Sequence, residues 1–274
     1  SDYVDATATS RSLSLDTGIG NDTVNFGRGN DTFAVSNTKF GVDVVDGGAG
    51  IDTFHVAFGS TTFNPMTFRG TNFNDKNPLV AELDANNRVT LTNFEVIKSA
   101  GGADKFTGGY AARALTHIDM GGGDDTFEWF TFLNDKLNID AGRSNDTVKI
   151  GGDFSGTKTG LFDGHVDGGI GNDTLAFRYT DKSAGTGFKV VIGTDGGTVQ
   201  NIGVDGQTTT FSNFETFVFT TATRRNDTND WIDASESKAN LTINSGSGDD
   251  TIIVGGGNDI LTAIRIAQEF QLRL

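Results

Sequence analysis

Val166-Asp167-Gly168-Gly169-Ile170-Gly171-Asn172-Asp173-Thr174-Leu175 places an apolar residue and Asp before a glycine turn, then Asp, Thr and an apolar residue after it. The phrase is complete a second time at Val45-Asp46-Gly47-Gly48-Ala49-Gly50-Ile51-Asp52-Thr53-Phe54. Weaker copies end at Asp22, Asp31, Asp104, Asp125, Asp146, Asp250 and Asp259. A Gly-rich turn and a carboxylate at a fixed offset before a strand form the sequence pattern of a metal-stacked solenoid.

The closing Asp of each copy gives a ruler. Asp22 to Asp31 and Asp250 to Asp259 are 9 residues; Asp31 to Asp52, Asp104 to Asp125 and Asp125 to Asp146 are 21; Asp146 to Asp173 is 27. The 21-residue unit parses as Thr126-Phe127-Glu128-Trp129, a polar break at Asn134-Asp135-Lys136, Leu137-Asn138-Ile139-Asp140, and a new turn at Ala141-Gly142. Two short strands and two turns make one coil, and stacked coils rise by roughly 4.8 Å. Apolar spacing of three and four over ten or more residues is missing, so helix is not expected in these units. The predicted fold is all-β, a parallel β-roll or β-solenoid with Gly-Asp turns and two hairpin-like excursions.

The excursions occupy the long gaps and resemble each other. Leu91-Thr92-Asn93-Phe94-Glu95-Val96-Ile97 returns as Phe211-Ser212-Asn213-Phe214-Glu215-Thr216-Phe217, 120 residues later, and Asp52 and Asp173 stand 121 apart. The chain therefore divides into N-terminal coils (1–50), a first supermodule (51–171, excursion 55–97) and a second (172–259, excursion 176–219). In the tail (260–274), Ile260, Leu261, Ile264, Ala267 and Phe270 recur at three and four, which predicts a short capping helix.

Composition agrees with a narrow core and many turns: 35% hydrophobic residues, 38 Gly and 22 Phe, several directly after Asp-Thr. Only Pro65 and Pro78 interrupt backbone ladders. The net charge is −15, and because only six of the 36 acids are Glu, it is carried mostly by Asp. That balance argues against nucleic acid and against insertion into a membrane, and favours divalent cations. About seven Ca²⁺ would neutralise it. The absence of Cys removes disulfides and thiolate metals from consideration.

The turns resemble the glycine- and aspartate-rich nonapeptide of RTX (hemolysin-type) calcium-binding proteins, Gly-Gly-x-Gly-x-Asp-x-apolar-x. Gly168 to Leu175 and Gly47 to Phe54 fit every fixed position. The Asn-Phe-Glu strands at Asn93 and Asn213 are also similar to a segment that accompanies such repeats in large secreted proteins. The resemblance implies a protein exported by type I secretion from a Gram-negative bacterium, folding outside the cell where calcium is abundant. Calcium chemistry fits the spacing independently: Ca²⁺ takes six to eight oxygens, backbone carbonyls included, and glycine lets a short turn direct several carbonyls inward. The residues expected to hold metal are Asp22, Asp31, Asp46, Gly47, Gly48, Gly50, Asp52, Asp104, Asp119, Asp125, Asp140, Asp146, Asp167, Gly168, Gly169, Gly171, Asp173, Asp250 and Asp259. Roughly five to eight ions are expected. Without metal, neighbouring carboxylates about 5 Å apart repel by roughly 3 kcal/mol at an effective dielectric of 20. Several such pairs rival a typical stability of about 5–15 kcal/mol, so folding and metal binding are expected to be coupled.

Several copies depart from the pattern. Met120 replaces the first Gly before Asp125, and Arg143 and Ser144 enter the turn before Asp146. Ala222-Thr223-Arg224-Arg225-Asn226 before Asp227 has no Gly, so that copy is expected to bind no metal. No His-Glu-x-x-His, Gly-x-Ser-x-Gly or P-loop occurs, and no enzyme is expected in this chain. His55, His117 and His165 fall at strand positions. The acids of Asp124-Asp125 and Asp249-Asp250 should point to opposite faces, which disfavours a glycosidase pair. Phe63, Phe68, Phe73 and Tyr179 either pack the excursions down or offer a carbohydrate or cell-surface partner a face. The functional expectation is a non-catalytic extracellular module of adhesin, matrix or surface-layer type, with self-association by stacking. The alternative is the calcium-binding portion of a secreted protease, lipase or polysaccharide-active enzyme.

Overall fold

An Asp-Thr-apolar triplet starts a short strand whose first residue stays at the surface and whose second is buried, as Thr53 and Phe54 show. The computed structural model describes residues 1–58, 65–70, 78–107, 115–128, 136–151, 161–179, 187–202, 207–221, 228–264 and 271–273. Among them the chain alternates between two sheets of 13 strands each, and no helix occurs. The expected all-β, parallel solenoid is what forms.

The first coils place β1 (Tyr3–Asp5), β3 (Thr23–Asn25) and β5 (Val42–Asp46) in sheet 1. They place β2 (Ser14–Leu15), β4 (Thr32–Val35) and β6 (Thr53–Val56) in sheet 2. In the middle coils β11 (Lys105–Thr107), β13 (Thr126–Glu128), β15 (Thr147–Ile150) and β17 (Thr174–Tyr179) extend sheet 1. Their partners β10 (Val96–Lys98), β12 (His117–Asp119), β14 (Asn138–Asp140) and β16 (His165–Asp167) extend sheet 2. The last coils add β21 (Thr216–Thr221), β23 (Thr242–Ser247) and β25 (Ile260–Ile264) to sheet 1, and β22 (Trp231–Asp233), β24 (Thr251–Ile253) and β26 (Gln271–Arg273) to sheet 2.

The two hairpin-like excursions form as antiparallel pairs and are built into the sheets. β7 (Thr67–Gly70), β8 (Leu79–Asp84) and β9 (Asn87–Thr92) give sheet 1 the local order β5-β9-β8-β7-β11, with β8 antiparallel to both neighbours. β18 (Phe188–Ile192), β19 (Gly197–Asn201) and β20 (Thr209–Ser212) do the same in sheet 2, in the order β16-β20-β19-β18-β22. The duplicated segments thus lie in opposite sheets.

Like stacks on like inside. Phe68, Phe106, Phe127, Val148, Leu175, Phe217 and Ile243 form one inward rank of sheet 1. Phe33, Phe54, Ile97, Ile118, Ile139, Val166 and Phe211 face it from sheet 2. All are at most 2% exposed, so every coil adds its apolar pair to one continuous core. The Phe68 and Phe106 rings stack at 4.2 Å, which is how the first excursion packs onto the next coil. Phe63 and Phe73 lie outside the described residues.

The tail corrects an expectation. Ile260–Ile264 is not helical: it is β25, paired in parallel with β23, and Gln271–Arg273 pairs with β24. The apolar spacing of three and four is real, yet Ile260 follows Asp259 as each earlier strand follows its Asp. A neighbouring strand edge with open backbone partners overrides the local period. Residues 265–270 lie outside the described residues.

Candidate metal centre

Each closing Asp is turned inward beneath its turn. Asp22, Asp31, Asp52, Asp104, Asp125, Asp146, Asp173 and Asp250 are buried, whereas Asp259 is half-buried. They stack along the two edges of the solenoid. Turns from sheet 1 to sheet 2 carry Asp31, Asp52 and Asp250; turns from sheet 2 to sheet 1 carry Asp22, Asp104, Asp125, Asp146, Asp173 and Asp259. The 21-residue spacing is therefore a full coil on one edge, and the 9-residue spacing crosses from one edge to the other.

One carboxylate oxygen of each Asp is committed to a ladder. The backbone N–H of Asp104 donates to Oδ1 of Asp125 (2.6 Å), that of Asp125 to Asp146 (2.7 Å), and that of Asp146 to Asp173 (2.7 Å). Asp31 donates likewise to Asp52 (2.7 Å). The residue before the Asp runs a second ladder in the opposite sense. Oδ1 of Asp124 accepts the N–H of Asn145 (3.0 Å), Oδ1 of Asn145 that of Asn172 (2.9 Å), and Oδ1 of Asn30 that of Ile51 (3.0 Å). The Asn-Asp pair that recurs at the end of the turns thus ties each turn to the turn on either side.

The other oxygen is the informative one. Oδ2 of Asp22, Asp31, Asp43, Asp52, Asp125, Asp146, Asp173 and Asp250 is buried and has no hydrogen-bond partner among the described residues. Leaving such an atom unsatisfied is costly, and leaving it charged is more so. Burial accordingly pushes the Asp125 carboxyl up to about 9, with Asp104 and Asp146 adding repulsion. It pushes Asp146 to about 7, and Asp43, Asp52 and Asp173 to about 6. Asp104 differs, because the Ser99 hydroxyl donates to its Oδ2, and Thr228 does the same for Asp230 (3.3 Å).

The donor set fits a hard cation. The orphaned atoms are carboxylate oxygens, and the adjoining turns are crowded with backbone carbonyls. Gly123, at φ 123°, lies so close to the Gly102 carbonyl that any Cβ there would collide with it. Among the described residues no three Asp, Glu or His side chains converge on one point. A cation between coils would thus take a carboxylate from each turn and complete its shell with carbonyls of turns such as 47–52 (Gly47, Gly48, Gly50) and 168–173 (Gly168, Gly169, Gly171).

Asp46, Asp119, Asp140 and Asp167 end β5, β12, β14 and β16 on the outer sheet faces, the last three beside the buried Ile118, Ile139 and Val166. Their charges still reach the columns: Asp46 acts on Asp52, Asp140 on Asp146 and Asp167 on Asp173, each raising the buried carboxyl. Asp46 and Asp167 instead start their turns, accepting the N–H groups of Gly48 (3.0 Å) and Gly169 (3.1 Å). Asp119, Asp140 and Asp167 stand in register, and Asp140 is raised by burial and by those two neighbours. His165 bonds Thr210 and Ser212 across the sheet-2 surface, at 2.9 and 3.0 Å.

The sequence matches no protein-family model and no curated protein. Sequence reading missed four members of the columns. Asp43 is 1% exposed inside a valine-rich strand and accepts the Asp22 N–H (2.9 Å). The coil spacing alone points to it, 21 residues after Asp22. Asp230 is 2% exposed, accepts the Phe188 N–H (2.7 Å) and donates to Asp250 (2.9 Å). Trp231 in place of Thr hid it, and drew the ruler to Asp227, outside the described residues. Glu95 and Glu215 accept the N–H groups of Asp52 and Asp173, both at 2.8 Å.

Proposed function

We propose that this chain is a non-catalytic, calcium-stiffened extracellular module of the RTX type, of the kind used in adhesins, matrices or surface layers. The carrying observation is the files of buried carboxylates along both edges of the solenoid, each with one oxygen in the ladder and eight with the second unpartnered among the described residues. A divalent cation between successive turns would satisfy those oxygens and neutralise the acid columns of a chain with net charge −15. Inside a bacterium, where calcium is scarce, the same columns would repel and hold the chain unfolded for export. Outside, calcium would close the coils in sequence. Folding and binding are then one equilibrium.

The test is a calcium titration of the whole chain followed by circular dichroism and calorimetry. The expected result is β-structure and core burial that appear with calcium and reverse with chelator, with several ions bound per chain. Full β-structure in excess chelator together with no calcium uptake overturns the reading. Mixing with magnesium alone separates a Ca²⁺ site from general charge screening, because Mg²⁺ dehydrates reluctantly and demands octahedral geometry.

A further inference from the structure

The two Asn-Phe-Glu turns meet the last complete Gly-Asp turn of their columns in the same way. Asn93 and Asn213 both adopt φ 56°, the left-handed region that Asn tolerates better than most residues. The Asn93 carboxamide donates to Oδ1 of Asp46 (2.7 Å) and that of Asn213 to Oδ1 of Asp167 (2.6 Å). Phe94 and Phe214 are buried in the core. Glu95 and Glu215 then reach the Asp52 and Asp173 N–H groups, where the next coil's Asp would otherwise stand. Three residues here replace a six-residue turn, and the extra methylene of Glu spans the setback.

The gap itself is closed by backbone. The Asn93 carbonyl lies against Gly47 and the Asn213 carbonyl against Gly168, so closely that a Cβ on either glycine would collide with it. A neutral amide, a carbonyl and a committed carboxylate therefore occupy the space that two stacked Gly-Asp turns leave between them.

We propose that the Asn-Phe-Glu turns are metal-free plugs that terminate the cation columns. The inference rests on the calcium reading above and limits it. Cations belong only to gaps bounded by two buried Asp: 22/43, 31/52, 104/125, 125/146, 146/173 and 230/250. The longest column, Asp104 to Asp173, ends at Glu215 and fills as one block. The plugs themselves need no ion between their turns, since both ends of each contact are protein groups.

Calcium stoichiometry of the full chain tests this, with Glu95→Gln, Glu215→Gln and Asn213→Ala compared to Asp146→Asn. The plug variants should bind as many ions as the native chain, while Asp146→Asn should lose at least one. Asn213→Ala should also lower the melting temperature in saturating calcium while the ion count stays native, a combination that loss of a metal ligand would not give. If Asn213→Ala does not fold, the count for Glu215→Gln decides, because Gln keeps the shape and one acceptor oxygen. Loss of one ion per plug variant would make Glu95 and Glu215 ligands and overturn the proposal. A native chain that binds no calcium overturns the calcium reading, and the plugs' role as metal stops with it. Full uptake by the native chain with loss only in the plug variants overturns the plugs alone.

Discussion

Asp125 has two oxygens with different fates: Oδ1 accepts the Asp104 N–H, while Oδ2 is buried without a partner among the described residues. With burial and two neighbouring acids pushing its carboxyl up to about 9, its metal-free form is the neutral acid at neutral pH. Asp125→Asn keeps the ladder acceptor and removes the charge. We expect this variant to bind at least one ion fewer and to lose about 1–3 kcal/mol of stability in saturating calcium. A calcium isotherm and a melt in calcium read the two effects. Phe106 is 1% exposed between Phe68 and Phe127, and Phe106→Ala should cost about 3–5 kcal/mol in saturating calcium. Denaturant titration in calcium measures that loss, and the number of ions bound by the folded variant should equal the native count.

At the scale of the element, the turn decides whether a coil can close on its neighbour. Gly169 has φ 88°, and a Cβ there would strike the Gly142 carbonyl one coil back. Gly169→Ala should therefore destabilise the chain by more than the roughly 1 kcal/mol of an ordinary Gly effect, and weaken calcium binding as well. A melt and a calcium isotherm of the variant check this. The turn before Asp146 shows how far the pattern bends. Ser144 carries φ 87° without being Gly, and Arg143 bridges Gly122 and Ile170 through its backbone. Its Asp keeps both ladder bonds, so the carboxylate position is more constant than the glycines that frame it.

For the whole molecule, the placement of the two excursions in opposite sheets has a geometric effect. Each contributes three strands where the facing sheet contributes one, lengthening its own sheet by two strand spacings, about 10 Å. Two inserts on one face would bend the solenoid; one on each face leaves both sheets with 13 strands. The stacked acids set the response to pH. An unfolded Asp ionises near 3.8, while burial raises the folded values to about 6 for Asp43, Asp52 and Asp173, about 7 for Asp146 and about 9 for Asp125. Between those limits the folded chain holds protons that the unfolded chain has lost, so the contribution is complete below about pH 4 and disappears as pH rises through the folded values. In chelator the chain should lose β-structure as pH rises from 5 to 9, as circular dichroism across that range would show. Calcium competes with those protons, so the stabilisation by calcium should grow over the same range.

The coil, its length, its β character and the identity of most buried acids are legible in the chain's local spacing. Glycines stand where the backbone must turn, an Asp follows at a fixed offset, and an apolar residue comes two positions on. Asp43, without a glycine turn, and Asp230, without a following Thr, escape that spacing because their role comes from register with Asp22 and Asp250 one coil away. Which edge each turn occupies, which face Asp119, Asp140 and Asp167 present, and the pairing of the tail as strand come from the stacking of coils. The reason is physical: in a solenoid the partner of every residue is one coil away, and an excursion changes that distance without altering any local signal.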